Sequence, residues 1–413
     1  MSDNPPFPES PRPQFPNHNE PRVWVITAGD SPIGISVTRQ ILAHGDYALV
    51  GLAHSSLERD ECRRDEFESF LAEIDSHGHE GWRQRFKSVP FDIRCALQGC
   101  LQMNSLWSIG YKGEQRELTF IVQDDRRMSG TCADAVTTFG KVDILLCCTS
   151  QTLVGAVEEF GASQQTLNMV RDQFEINYFG PLSIIKAALP HMRKQKTGHI
   201  MILSGITAHI GTPGLGMYCA AGWALEGFCD SLAYEIAPFN LKLTIFQCSI
   251  EIGILTNLVT SVPPIVPAYS PSSNQAPLFR GMLNRLVPRL PNTHTETNGA
   301  QETGQVASVE NGPFSRPEVT SMYPPLSPAH MEVLVAETVY AITAIGGHEN
   351  PPSRHIVGQE GVASVKEKLK TVSEELEDFI QSSYAVDYAA GGDQKRASKE
   401  ENIFGMGTGN GGV

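Results

Sequence analysis

The sequence has little positive charge, no long apolar run and no ordered set of metal ligands. With 32 Lys and Arg against 46 Asp and Glu, its formal net charge is −14. That balance argues against nucleic acid or an anionic membrane as a partner, because both select basic patches. The densest basic cluster, "MRKQKTGH" (192–199), reads as the solvated end of a helix, where cations complement the dipole. No stretch of about eighteen apolar residues occurs, so no membrane span is expected. The N-terminal arm, residues 1–21, is polar and Pro-rich without the apolar stretch of a signal peptide. No CxxC pair has a matching partner and the histidines show no metal-ligand spacing, so no metal is expected.

Cysteine is present, but not as a disulfide framework. The nine cysteines are odd in number and fall mostly in apolar stretches such as "LLCCTS", "MYCAA" and "IFQCSI". Reduced, buried thiols in a cytoplasmic protein are the expectation.

The 413 residues, 41% hydrophobic, suffice for one large α/β domain with insertions or for two ordinary domains. "VWVITAG" (23–29) is a short apolar run ended by turn residues, a buried strand. "GISVTRQILAHGD" (34–46) reads as a helix with a Gly stop, and "YALVGLAH" (47–54) as a second strand. Helix leads to strand again in "CADAVTTFGKVDILLCCTS" (132–150). A long helix (174–195), a strand (199–205), a helix (218–239) and a strand (241–249) follow. This alternation predicts a doubly wound parallel sheet of Rossmann type, a single domain with two insertions.

The expected organisation is a disordered arm at 1–21, a core at 22–258 and a disordered tail at 386–413. Residues 95–129 show no clear period and read as an insertion or as retained intron sequence. Residues 259–326, rich in Pro, Ser and Asn, are expected to be a mobile region, because they bury too little apolar surface to offset chain entropy. Residues 327–385 carry two C-terminal helices and the last strand.

Four segments, in order, resemble the short-chain dehydrogenase/reductase (SDR) family. "TAGDSPIG" stands at its TGxxxGIG loop and "LLCCTS" at its NNAG strand end. "FEINYFGPL" stands at its Asn-bearing helix and "MYCAAGWALEG" at its YxxxK helix. The resemblance spans most of residues 22–385. It implies an NADP or NAD cofactor, oxidation of an alcohol or reduction of a carbonyl on a small apolar substrate, and compatibility with a homo-oligomer. Region 259–326 takes the place of the family's substrate lid.

By resemblance, Tyr218 is the catalytic acid and Asn177 its support. Thr27, Gly29, Gly34 and Asp92 form the cofactor-binding set. The matches are incomplete. Ala28 and Pro32 replace loop glycines, and Pro removes an N–H. Gly222 stands where the family has Lys, and Gly205 where it has Ser. Without an ammonium the Tyr218 proton is harder to remove, and without a hydroxyl at 205 the substrate oxygen loses a donor. Ser204 is expected to face away, as neighbouring strand residues do. Thr207 and His209, on the following loop, are the candidates for replacing the lost donor. The alternative reading is a non-catalytic scaffold or regulator, in which Tyr218 and Asn177 only pack, and Cys147 and Cys148 only fill the core.

Overall fold

In a computed structural model of the chain, the described residues are 12–52, 61–76, 81–91, 125–255, 258–262, 266, 268, 328–378 and 380. Residues 1–365 form one compact unit and 366–413 a second. Seven parallel strands make the main sheet of the first unit. They are β1 (Val23–Ile26), β2 (Tyr47–Leu52), β3 (Phe86–Pro90), β4 (Ile144–Cys147), β6 (Gly198–Gly205), β7 (Leu241–Cys248) and β9 (Arg354–Ile356). Their spatial order is β3-β2-β1-β4-β6-β7-β9, so the direction of winding reverses between β1 and β4. This is the doubly wound parallel sheet expected from the strand–helix alternation.

The helices are α1 (Pro32–His44), α2 (Glu61–Ile74), the one-turn α3 (Trp82–Arg85) and α4 (Asp125–Phe139). Next come α5 (Gln164–Phe174), α6 (Gly180–Gln195), α7 (Gly216–Ile236) and α8 (Ile250–Leu255). The last are α9 (Pro328–Ile345) and α10 (Gln359–Asp378), which runs from the first unit into the second. Among the described residues, no helix is long and apolar enough to cross a membrane.

Strand alternation splits the core into two layers. In β1, Trp24 and Ile26 join Ile33, Val37, Ile41, Phe246 and Ile342 on one face. Val25, between them, joins Leu49, Leu145, Ile184, Ile200 and Leu225 on the other. Burial on both faces is why these strands read as unbroken apolar runs rather than alternating ones. Each such side chain contributes about 1.5–3 kcal/mol when taken out of water.

The ends of α1 follow local chemistry. The Ser31 hydroxyl accepts from the Gly34 N–H at the start, and Gly45, at φ 104°, closes the end. Immediately after, Asp46 is fully buried and accepts from the Arg22 N–H (2.9 Å) and the Trp24 indole (3.3 Å). His18 and His44 each approach its carboxylate to 3.5 Å. These three residues, at the amino ends of the strands, could hold a metal ion by distance alone. Residue spacing could not show it, because His18 comes from the N-terminal arm.

The structure adds three features to the sequence reading. A second sheet pairs β5 (Gln151–Val154) with β8 (Leu258–Ser261), so pairing continues past residue 258. Helix α4 begins at Asp125, within the stretch read as an insertion. Finally, α5 and α6 are one helical run interrupted by a π turn at Glu175–Phe179. Nearly all of 95–124 and 263–327, and the tail from 381, lie outside the described residues.

Candidate functional site

Four positions that the sequence pointed to come together at the carboxyl ends of β4 and β6. Tyr218 enters from the first turn of α7, Asn177 from the π turn, Gly205 from the end of β6, and Gly222 from one turn further along α7. With Ser204 and Thr207 they line a cavity of about 30 Å³. That is room for about one water molecule.

Tyr218 is buried, and loss of solvent pushes its phenol up to about 12, with a Ser150 hydrogen bond acting in the opposite direction. Its hydroxyl also lies against Gly253, where a Cβ would come within 2.6 Å of the oxygen. No cation stands at position 222 to oppose the desolvation.

The two glycines differ in what replaces their missing side chains. A Cβ on Gly205 would lie 3.0 Å from the Thr207 Oγ1. The Thr207 hydroxyl is therefore a close neighbour of the position a side chain at 205 would take. A Cβ on Gly222 would meet only the Ala208 Cβ, at 3.7 Å, an ordinary contact. One loss has a hydroxyl beside it, and the other faces only the Ala208 methyl. His209 does not line the cavity; it packs edge-on against Trp223, with ring centroids 6.2 Å apart.

Asn177 has a structural task. Its Oδ1 accepts from the Gln151 N–H (2.8 Å) and its Nδ2 donates to the Gln151 carbonyl (2.9 Å). One turn earlier, Gln173 accepts from the Leu153 N–H and donates to the same Gln151 carbonyl. Two amides thus strap β5 to the helical run. Beside them, burial first and the Asp172 charge second push the Glu175 carboxyl up to about 7.

Ser204, expected to face away, lines the same cavity, and its hydroxyl donates to Glu226 Oε1 (2.8 Å). Glu226 is buried on α7 and also accepts from Gln247 on β7 (2.7 Å) and Arg354 on β9 (3.3 Å). Arg354 further pairs with Asp230 at 2.7 Å. This network gave no sequence signal, because its members come from four separate elements.

The glycine loop lies between β1 and α1. The Thr27 hydroxyl accepts from the N–H groups of Cys148 and Thr149 and from the Thr149 hydroxyl, bracing β1 against the end of β4. Gly29 packs so closely that a Cβ would lie 2.4 Å from the Val50 Cβ, and one on Gly34 would lie 2.0 Å from the Ala28 carbonyl oxygen. Both glycines are required by packing within the protein. Asp92 lies outside the described residues. Cys147 and Cys148 are buried free thiols; desolvation pushes both up, Cys148 to about 11, which suits packing rather than nucleophilic use.

The loop does not fit a dinucleotide diphosphate in this arrangement. Such a group rests on free N–H groups at a helix start. Here Pro32, the first helical residue, has none, and the Gly34 N–H is taken by Ser31. Asp30 places a fully buried carboxylate in the same loop, paired with Arg63 at 2.7 Å.

A family model described as short chain dehydrogenase matches residues 107–261. The human 17-beta-hydroxysteroid dehydrogenase type 1 is 27% identical over 166 residues, covering 39% of this chain and 48% of that protein. An oxidoreductase, BOA17, of Botryotinia fuckeliana is 34% identical over 134 residues, covering 32% of this chain and 46% of the relative. The chain thus spans about half the length of the curated relatives it matches. A solved short-chain dehydrogenase from Streptomyces avermitilis superposes with a TM-score of 0.53 at 21% identity, over 89% of this chain and 98% of that one, a likeness of fold. The sheet order, the motif-bearing elements and these matches support the short-chain dehydrogenase/reductase family as the one this chain resembles.

Proposed function

We propose that this chain is an SDR-type oxidoreductase whose standard hydride-transfer turnover is weak or absent. Members of the family generally bind NAD or NADP. The observation that carries the reading is Tyr218: buried, pushed up to about 12, and without a cation at Gly222 to ease loss of its proton. A general acid or base works best with a pKa near the operating pH, and this phenol is far above it. Thr207 supplies the hydroxyl that Gly205 lacks, so the missing lysine is the decisive loss. Residual activity would be on a carbonyl or alcohol of a small, largely apolar substrate. The name of the human relative, a hydroxysteroid dehydrogenase, is in keeping with that class. The buried free thiols favour a reducing setting, the cytoplasm.

The test compares wild type, Gly222→Lys and Gly222→Lys/Tyr218→Phe with NADPH and NADH on a panel of apolar ketones and alcohols. The expected result is a rise in turnover in the single variant that the added Tyr218→Phe abolishes. Wild-type turnover on the order of 1 s⁻¹ or more, within the ordinary enzyme range, would refute the reading.

A second reading, a regulator that uses the fold for protein contacts, is favoured by α7. Trp223 is 54% exposed and Tyr234 84% exposed. Eleven residues at about 100° each bring them to one side of the helix. A second copy of the chain is one candidate for that side. Sedimentation of wild type against Trp223→Ser would test it, and a monomer in both cases would remove it.

A further inference from the structure

At the amino ends of the strands, away from Tyr218, three side chains converge that the hydride-transfer reading does not use. Asp46 stands just before β2, and its carboxylate is fully buried. His18 Nε2 lies 3.5 Å from Asp46 Oδ1, and His44 Nδ1 lies 3.5 Å from Oδ2. One ligand atom from each of the three residues lies within 4.8 Å of the other two. All three line an open cleft of about 520 Å³, beside Asn17, Asn19 and Glu20.

The His18 ring fixes the character of the cluster. Its Nδ1 lies 2.6 Å from the Glu20 carbonyl, which can only accept, so the proton of the neutral ring is on Nδ1. Nε2 then presents a lone pair, and it is buried without a hydrogen-bond partner. It faces a carboxylate oxygen that already accepts from the Arg22 N–H (2.9 Å). Two acceptors so placed repel unless a cation stands between them, a proton or a metal ion. Ligand atoms around a tetrahedral zinc ion, each about 2.0–2.2 Å from it, stand about 3.3–3.5 Å apart. Both contacts to Asp46 match that spacing. The Arg22 N–H and the Trp24 indole orient the carboxylate and leave each oxygen a lone pair. Phe15 stacks on the His44 ring, with centroids 4.0 Å apart, and the Glu20 carbonyl holds His18 as such acceptors hold ligand histidines.

We propose that His18, His44 and Asp46 bind one Zn²⁺ ion, with water from the cleft as the fourth ligand, and that the ion ties the N-terminal arm to the sheet. Two imidazoles select a transition metal over Ca²⁺ or Mg²⁺, which take oxygen ligands. The Arg22 guanidinium, on which the Asp46 charge acts, opposes any cation at this point. Nitrogen donors rather than net charge therefore carry the affinity. His18 is the ligand that the arm contributes, so the ion joins that segment to the turn at Gly45. Because it binds the folded arrangement, it stabilises that arrangement by mass action.

The experiment titrates the full chain, reduced and without an affinity tag, with Zn²⁺ against a chromogenic chelator, and follows thermal unfolding with and without the metal. Wild type is compared with His18→Ala, His44→Ala and a control, His209→Ala, whose ring packs against Trp223. His44→Gln serves in place of His44→Ala if the latter does not fold. The expected result is one equivalent bound by wild type and control, and an affinity at least about tenfold lower in the other two. Zinc should raise Tm only in the first pair, and Mg²⁺ in neither. Cobalt(II) reports the donors: a spectrum without a thiolate charge-transfer band is expected, the nine cysteines being the competing ligands. No stoichiometric binding, binding retained by either histidine variant, or a thiolate band would each overturn the proposal. The first of these would leave a protonated His18 as the cation beside Asp46. Metal binding is read here and turnover in the Gly222→Lys experiment, so either idea can fail without the other.

Discussion

Replacing Gly222 by alanine asks whether the empty position on α7 is needed. Gly222 lies inside the 21-residue helix Gly216–Ile236, well away from either end. In a helix interior, alanine is more favourable than glycine by about 0.8–1.0 kcal/mol, because glycine surrenders more backbone freedom on folding. The new methyl would meet the Ala208 Cβ at 3.7 Å, a contact that adds packing without displacing anything. The expected gain is therefore about 1 kcal/mol, or about 1–2 °C in Tm for a unit of this size. Urea and thermal unfolding followed by circular dichroism would measure it. Gly34→Ala is the internal control. Its Cβ would fall 2.0 Å from the Ala28 carbonyl oxygen, a backbone atom that cannot move aside cheaply. That variant should lose stability by about 2 kcal/mol or more. If Gly222→Ala were neutral or destabilising while the control behaved as described, the space beside Tyr218 would have a use, and the view of position 222 as a relinquished lysine would be wrong.

Two further outcomes follow from the same region. Asn177→Ala should cost about 1–3 kcal/mol, because the Gln151 N–H loses its acceptor; a loss of turnover without loss of stability would instead mark Asn177 as a chemical group. Glu175, raised from 4.5 to about 7, favours its neutral form in the folded chain. Its contribution is full below the ordinary carboxyl range and is lost as pH rises through about 7, since the native state binds the extra proton in that window. Glu175→Gln should then gain stability relative to wild type between pH 5 and 8 in urea titrations, and a difference independent of pH would contradict the assignment.

The sheet was legible because its strands are buried on both faces. Runs such as "VWVI" and "HIMILSG" are apolar from end to end, and the Gly45 stop marked the end of α1 before the structure did. His199, inside one of those runs, is a satisfied core histidine: its Nδ1 accepts from the Gly347 N–H and its Nε2 meets the Thr244 hydroxyl. Burial lowers it to about 3. The four-residue strands β5 and β8 were not legible, since their pairing spans more than a hundred residues and neither has room for a clear period. The site was half legible. Spacing from Tyr218 found Gly205 and Gly222, but only the fold shows that the Thr207 hydroxyl lies beside the first and the Ala208 methyl beside the second. The Asp30–Arg63 pair was not legible, because Arg63 lies 33 positions away on helix α2.

Strand β9 and helix α9 bear on how the chain can change over time. The Arg354 side chain on β9 bonds to Glu226 on α7, and β9 pairs along β7. Arg22 donates to the Gly346 carbonyl just beyond α9. On the other side, β8 is pinned to β5. The two ends of the connection from β8 to α9 are therefore each held by described contacts, so a substitution at Arg22, at Arg354 or in β8 would be felt in the sheets themselves as the sequence drifts.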